Sequence, residues 1–140
     1  MTEPVRFETK TAVLLREDLA GWQRLNVTAF LASGITAAVP ELVGEPYADA
    51  DGTGYLALLG RPVLVLEGAA EVLAAARGRA VGRGVPLAVF TAEMFTTGHD
   101  AANRAAVAAV AGADLDLVGL AVHGPKNAVD KILKGARMHP

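Results

Sequence analysis

Apolar residues follow two rhythms along this chain of 140 residues. Short β-branched runs at 10–16 (Lys-Thr-Ala-Val-Leu-Leu-Arg), 86–91 (Pro-Leu-Ala-Val-Phe-Thr) and 115–123 (Leu-Asp-Leu-Val-Gly-Leu-Ala-Val-His) suit buried strands. Residues 55–59 and 62–67 read as two further extended segments, joined at Gly60-Arg61 as a hairpin or a kinked edge. Elsewhere the apolar spacing widens to that of helices, over 22–39, 69–83 and 101–111, and again after Gly124-Pro125. The first helix carries Trp22, Leu25, Ala29 and Ala32 on one stripe and Val27, Phe30, Leu31 and Ile35 on the next. Most of its circumference is apolar, so it is expected to be buried. On such a surface Asn26 needs a partner, because an unpaired buried amide costs about 1–3 kcal/mol. That partner is either a loop backbone or a ligand.

The second helix directs Val72, Leu73, Ala76 and Ala80 inward and should stop at Gly84. The third has Asp100 as its natural N-cap, with Asn103 three residues on. The last takes Pro125 as its first residue and buries Ala128, Val129, Ile132, Leu133 and Ala136. Strands alternating with helices predict one α/β domain over 1–140. It is expected to be a three-layer α/β/α sandwich whose four- to five-stranded sheet is mixed and mostly parallel.

Composition narrows the function classes. The chain is 52% apolar and only 20% charged, an excess that suits a buried homodimer interface. No apolar run approaches the roughly 20 residues of a membrane span, and Met1 to Glu8 lacks the apolar core of a signal peptide. A cytoplasmic protein is expected. The lack of cysteine agrees and excludes thiolate chemistry. Thirteen basic against fifteen acidic residues give a net charge of −2, a poor balance for a nucleic-acid partner.

Polar chemistry concentrates between two apolar runs, at 91–104, where Glu93, Thr96, Thr97, His99, Asp100 and Asn103 crowd together. His99 could serve as a general base near neutral pH, and Thr96 or Thr97 could donate to a carbonyl or phosphate oxygen. Equally, Asp100 and Asn103 could cap the third helix while the threonines tie the loop down. Trp22 and Phe95 offer an aromatic wall, so one apolar pocket is expected there, with Asp18, Asn26, Thr96, Thr97, His99 and Asn103 converging on it. Lys126, in the first turn of the last helix, could meet a bound anion or simply extend into water. Gly52-Thr-Gly-Tyr-Leu-Ala57 matches a relaxed dinucleotide pattern but precedes a strand instead of following one, so no nucleotide cofactor is expected. Neither a His-Glu-x-x-His pattern nor a Gly-x-Ser-x-Gly elbow occurs, so neither a catalytic metal nor a serine hydrolase is expected.

Three segments in order carry a family likeness: Arg16-x-Asp18-Leu19 after a strand and before a helix; Gly84-x-Pro86 entering a strand that ends in a threonine-bearing loop; and Val118-Gly119-Leu-Ala-Val-His-Gly124-Pro125 followed by Val129-Asp130-Lys131-Ile132. Over nearly the whole chain this resembles the peptidyl-tRNA hydrolase II superfamily, and more closely its branch known only as a domain of unknown function. The resemblance implies that fold and, by position, catalytic places for Asp18 and Thr96. It does not extend to the hydrolases' lysine, since the helix opens Ala20-Gly21-Trp22-Gln23-Arg24. Their loop Asp and Arg are also absent, where this chain has Ala92-Glu93-Met94-Phe95-Thr96. Efficient peptidyl-tRNA hydrolysis is therefore not expected. The sequence leaves two readings: an enzyme acting on a small ester-, amide- or amino-acid-like substrate through Asp18, Thr96 and His99, or a non-catalytic metabolite-binding or regulatory module. In both, Trp22, Asn26, Glu93, Phe95, Thr97, Asn103 and Lys126 are the expected ligand contacts.

Overall fold

The computed structural model describes residues 6–139. Residues 1–5, on which the reading of the amino terminus largely rests, lie outside them. Strands β1 (Thr9–Arg16), β4 (Val63–Gly68), β5 (Leu87–Thr91), β6 (Leu117–Pro125) and β7 (Arg137–Met138) form one sheet in the order β5-β6-β1-β4-β7. Strands β2 (Tyr47–Ala48) and β3 (Gly54–Tyr55) pair separately as a small antiparallel ribbon. Its turn is built by Asp49, whose carboxylate accepts from the Asp51 and Thr53 amides and the Tyr55 hydroxyl. Gly52 supplies the left-handed residue at φ 84°. The glycine pair that mimics a dinucleotide loop is thus hairpin chemistry. Residues 56–59 form no strand with 62–67; Leu59 makes only an isolated bridge to Val43.

The sheet is mixed, with β1–β4 its single parallel pair; β6 runs antiparallel to both β1 and β5, and β7 to β4. This corrects the mostly parallel expectation, and the reason lies in α3 (Asp100–Ala108). A parallel neighbour needs a crossover helix packed over the sheet, but α3 has no buried residue. The chain instead turns back at the end of β5, and β6 enters the sheet against it. Alternating side chains of β1 divide the core: Ala12 and Leu14 join Leu73, Ala76, Val129 and Ile132, while Val13 and Leu15 join Val27, Leu31 and Ile35. Helices α2 (Ala70–Arg83) and α4 (Lys126–Ile132) therefore cover one face and α1 (Gly21–Ala38) the other. As its sequence requires, α2 ends at Gly84 in the left-handed conformation, φ 66°.

Only the stripe Val27, Leu31 and Ile35 of α1 is buried. Trp22, Leu25 and Phe30 are 63, 77 and 57% exposed, and Asn26 faces solvent. The expectation of a buried helix, and of a partner for Asn26, does not hold: one sheet face can cover only one stripe of a helix, and an amide in water loses nothing. At the stripe's closest approach, β6 has Gly119, where a Cβ atom would stand 2.6 Å from Val27 Cγ1. No helix among the described residues is long and apolar enough to cross a membrane.

Candidate functional site

β1 and β5 point the same way across the intervening β6, so Arg16-Glu17-Asp18 and the 92–103 loop leave the same end of the sheet. Arg16 ties the two together. Its Nε donates to Asp18 Oδ1 at 2.7 Å and its Nη1 to Asp116 Oδ1 at 2.9 Å, while the Asp116 carbonyl accepts from the Ala92 amide. The hydrogen bond from Arg16 holds the Asp18 carboxyl below the usual carboxylate range. Asp18 is thereby a committed, exposed anion and a weak proton acceptor. Beside it, Glu67 is buried at the end of β4 between Arg24, 2.8 Å away, and Arg137, 3.0 Å away. Arg137 also reaches Glu17, and Arg24 donates to the carbonyls of Glu17 and Leu19. This clamp joins β1, α1, β4 and β7. The single apolar-looking position of Glu67, within Val-Leu-Val-Leu-Glu, was the only sequence signal for it.

The 92–103 loop spends its polar groups on itself. A 3-10 turn, Ala92–Phe95, places the Thr96 hydroxyl 2.9 Å from the Glu93 carbonyl and the Thr97 hydroxyl 3.1 Å from that of Met94. Thr97 also meets Asn103 Oδ1. The N-cap of α3 is His99, one residue earlier than the expected Asp100: its Nδ1 accepts from the Ala102 amide at 3.2 Å. Asp100 is instead in the first turn, where its carboxylate suits the helix dipole, and it pairs with Arg104 four residues on. Asn103 bonds Thr97 and not the cap backbone, because with His99 as the N-cap the capping-box place falls on Ala102 and Asn103 stands one residue beyond it.

Of the expected contacts, Trp22 and Phe95 do meet, edge to face with ring centroids 5.7 Å apart. Phe95 continues to Phe90 at 5.2 Å and Phe90 to Phe30 at 5.9 Å, an aromatic line from the start of α1 into the core. The nearest hollow of size is lined neither by Trp22 and Phe95 nor by Asp18, Glu93, Thr96, Thr97 and His99, so the expected pocket does not form around that wall. That hollow is a groove of about 810 Å³ between α1, the β5 strand and α3, lined by Phe30, Leu31, Val89, Phe90, Met94 and Val107, with Asp100, Asn103 and Arg104 at its polar side. Asn103 is the one residue of the expected set that reaches it. Asn26 is solvent-facing on α1, and Lys126 lies at the opposite end of the sheet, beside Thr9 and Arg61. Phe30 and Met94 were not expected at a site because their spacing reads as ordinary core. Among the described residues no group of three His, Asp or Glu side chains is placed to hold a metal.

Comparison with known proteins adds a family without an activity. A solved structure of a protein of unknown function from Agrobacterium tumefaciens is 44% identical, covers 96% of this chain and all of its own, and superposes with a TM-score of 0.94. No curated protein matches. The family model described as Protein of unknown function (DUF2000) matches residues 9–140, from the start of β1 onward, and the chain belongs to that family.

Proposed function

We propose that the protein is a small-molecule-binding module, taking a ligand with an apolar body and an amide- or amino-acid-like end. The observation that carries this is the groove: its volume of about 810 Å³ falls within the roughly 300–1,000 Å³ of small-molecule sites. Its wall is aliphatic and aromatic, and one end presents an amide, a carboxylate and a guanidinium from a single helix face (Asn103, Asp100, Arg104). The neighbouring hydroxyls and His99 are already bonded within the loop, which supports binding over turnover. The test is a thermal-shift and NMR screen of N-acylated amino acids and hydrophobic amides. Hits should perturb Phe30, Met94 and Val107, be lost in Val107→Trp, and survive in His99→Ala. Perturbations confined to other surfaces would refute the reading.

The enzymatic reading keeps one supporting observation, that Asp18 and the 92–103 loop leave the same sheet end, linked through Arg16 and Asp116. It places the chain as a diverged peptidyl-tRNA hydrolase II-like α/β/α sandwich, with Asp18, Thr96 and His99 acting on a small ester or amide. Asp18→Asn would then abolish turnover of a model ester while leaving groove binding intact. Cleavage of peptidyl-tRNA at an authentic hydrolase's rate is not expected. In either reading the protein is cytoplasmic, as its cysteine-free composition suggests, and a homodimer. The exposed apolar side chains of α1, and separately Leu56 and Leu58, 88 and 63% exposed, support self-association.

A further inference from the structure

At the far end of the sheet from the groove, antiparallel pairing of β6 with β1 brings Gly124 opposite Lys10 and Pro125 opposite Thr9. The start of β4 arrives alongside, with Arg61 just before it. A cleft of about 380 Å³ results, lined by Arg6, Thr9, Lys10, Thr11, Arg61 and Lys126. Four cations thus face one hollow in a protein of net charge −2. Lys10 is neutralised by Asp130. Among the described residues, Arg6, Arg61 and Lys126 have no carboxylate within ion-pair reach; Arg77, Arg79 and Arg83 likewise lack one, but Arg6, Arg61 and Lys126 line one cleft together.

Arg61 is also held in place. Its Nη1 donates to Thr9 Oγ1 at 2.9 Å and its guanidinium lies 5.2 Å over the Phe7 ring, which fixes the fork without discharging it. Below, the Thr11 hydroxyl and His123 Nδ1 form a buried pair at 2.8 Å. The Arg61 charge reaches that ring: it adds to burial in lowering the His123 pKa, against a smaller opposite pull from Glu41. Like charges gathered around one concave site repel one another unless an anion sits among them.

We infer that this cleft is a binding site for a phosphomonoester group of a small metabolite, with Arg61 as its oriented anchor and Lys126 and Arg6 closing on the remaining oxygens. A carboxylate would offset one of the three uncompensated charges. A phosphomonoester, at about −1.5 to −2 near neutral pH, offsets about two and presents three acceptor oxygens. Nucleic acid fits less well, since the cleft is short and the rest of the surface is not basic. The site shares no residue with the groove, so the two proposals stand or fall separately.

The test is a two-dimensional NMR titration of the full chain with inorganic phosphate, with acetate at matched ionic strength, and with a short single-stranded oligonucleotide, all at about 20 mM salt, where screening is weak. Saturable shifts at Thr11, His123 and Lys126 are expected, with acetate at least about tenfold weaker. Arg61→Gln should weaken phosphate binding about tenfold or more, the loss of one charge-assisted fork. Because Arg61 also holds Thr9, the exposed Lys126→Glu serves as a second variant, and it should weaken phosphate by a similar factor. Absent or non-saturating shifts, acetate as strong as phosphate, tighter binding of the oligonucleotide, or unchanged binding in Lys126→Glu would each overturn the proposal.

Discussion

Gly119→Ala tests how closely α1 is seated on the sheet. An added Cβ would stand 2.6 Å from Val27 Cγ1, 3.0 Å from Leu31 Cδ1 and 3.4 Å from Leu15 Cδ2. Carbon atoms rest at about 3.5–4.0 Å, so the middle of α1 would have to withdraw by roughly 1 Å. Val27 cannot rotate clear, because a β-branched side chain in a helix is confined to about one rotamer. Two effects then oppose each other. Alanine is favoured over glycine in a strand by about 0.5–1 kcal/mol, and overpacking a core costs about 1–3 kcal/mol. The clash falls on two fully buried side chains, so the second should win, with a net loss of about 1–2 kcal/mol. Urea denaturation should show a lower midpoint at unchanged slope, and the melting temperature should fall by roughly 3–8 °C. Val27→Ala removes the contacted methyl, so in that background the same change should cost about 1 kcal/mol less. Displacement of Leu31 should also weaken any ligand of the groove. A Gly119→Ala protein as stable as the parent or more so would refute the packing argument.

Stability should depend on pH through His123. Burial, then the Arg61 charge, puts its folded pKa below the ordinary 6.5, so the unfolded chain takes up the proton first as pH falls. Stability is then full above about pH 7, declines below about 6.5 and is lowest once pH passes the folded value; His123→Gln should flatten that decline in pH-resolved melts. Asp18 and Glu67, whose carboxyls are lowered by Arg16 and Arg24, act at more acid pH, below their ordinary 3.8 and 4.5. The Thr91 hydroxyl is buried at 1% exposure with no partner among the described residues; Thr91→Val should therefore stabilise by about 1 kcal/mol, and a loss of stability would show that the hydroxyl is bonded in solution. Light scattering at micromolar concentration should give a dimer mass, and Leu25→Asp on the exposed face of α1 should give a monomer; a monomeric parent would count against that interface.

Elements whose limits are set by local chemistry were legible in the sequence. Gly84 stops α2 and the β-branched run 10–16 is a central strand, because a left-handed glycine and a doubly buried strand each leave an unambiguous mark. What the sequence could not convey was partnership. Apolarity around α1 looks alike whether Trp22 and Leu25 meet a core or water, so the helix read as buried. The same limit produced the parallel sheet: a strand-helix-strand rhythm does not say whether α3 crosses the sheet or stays outside it. In the site, Trp22 and Phe95 were found because aromatics beside polar loop residues are rare in this chain. Neither the bond from Arg16 to Asp116 nor the meeting of Arg61 and Lys126 at one cleft was visible, since those residues stand 100 and 65 positions apart in the chain and are brought together only by the antiparallel return of β6.

The position of β1 also shapes how the chain reaches this fold. The strand is made first, yet its two neighbours are β4, some fifty residues later, and β6, whose Pro125 faces Thr9. During synthesis this central strand therefore has both edges unpaired until β4 has emerged, and one edge still open until β6 follows. Long-range pairing of this kind makes folding slow and leaves adhesive edges exposed in the interval. The protein's vulnerability to aggregation thus belongs to its nascent state, and it ends when β6 slides in between β1 and β5.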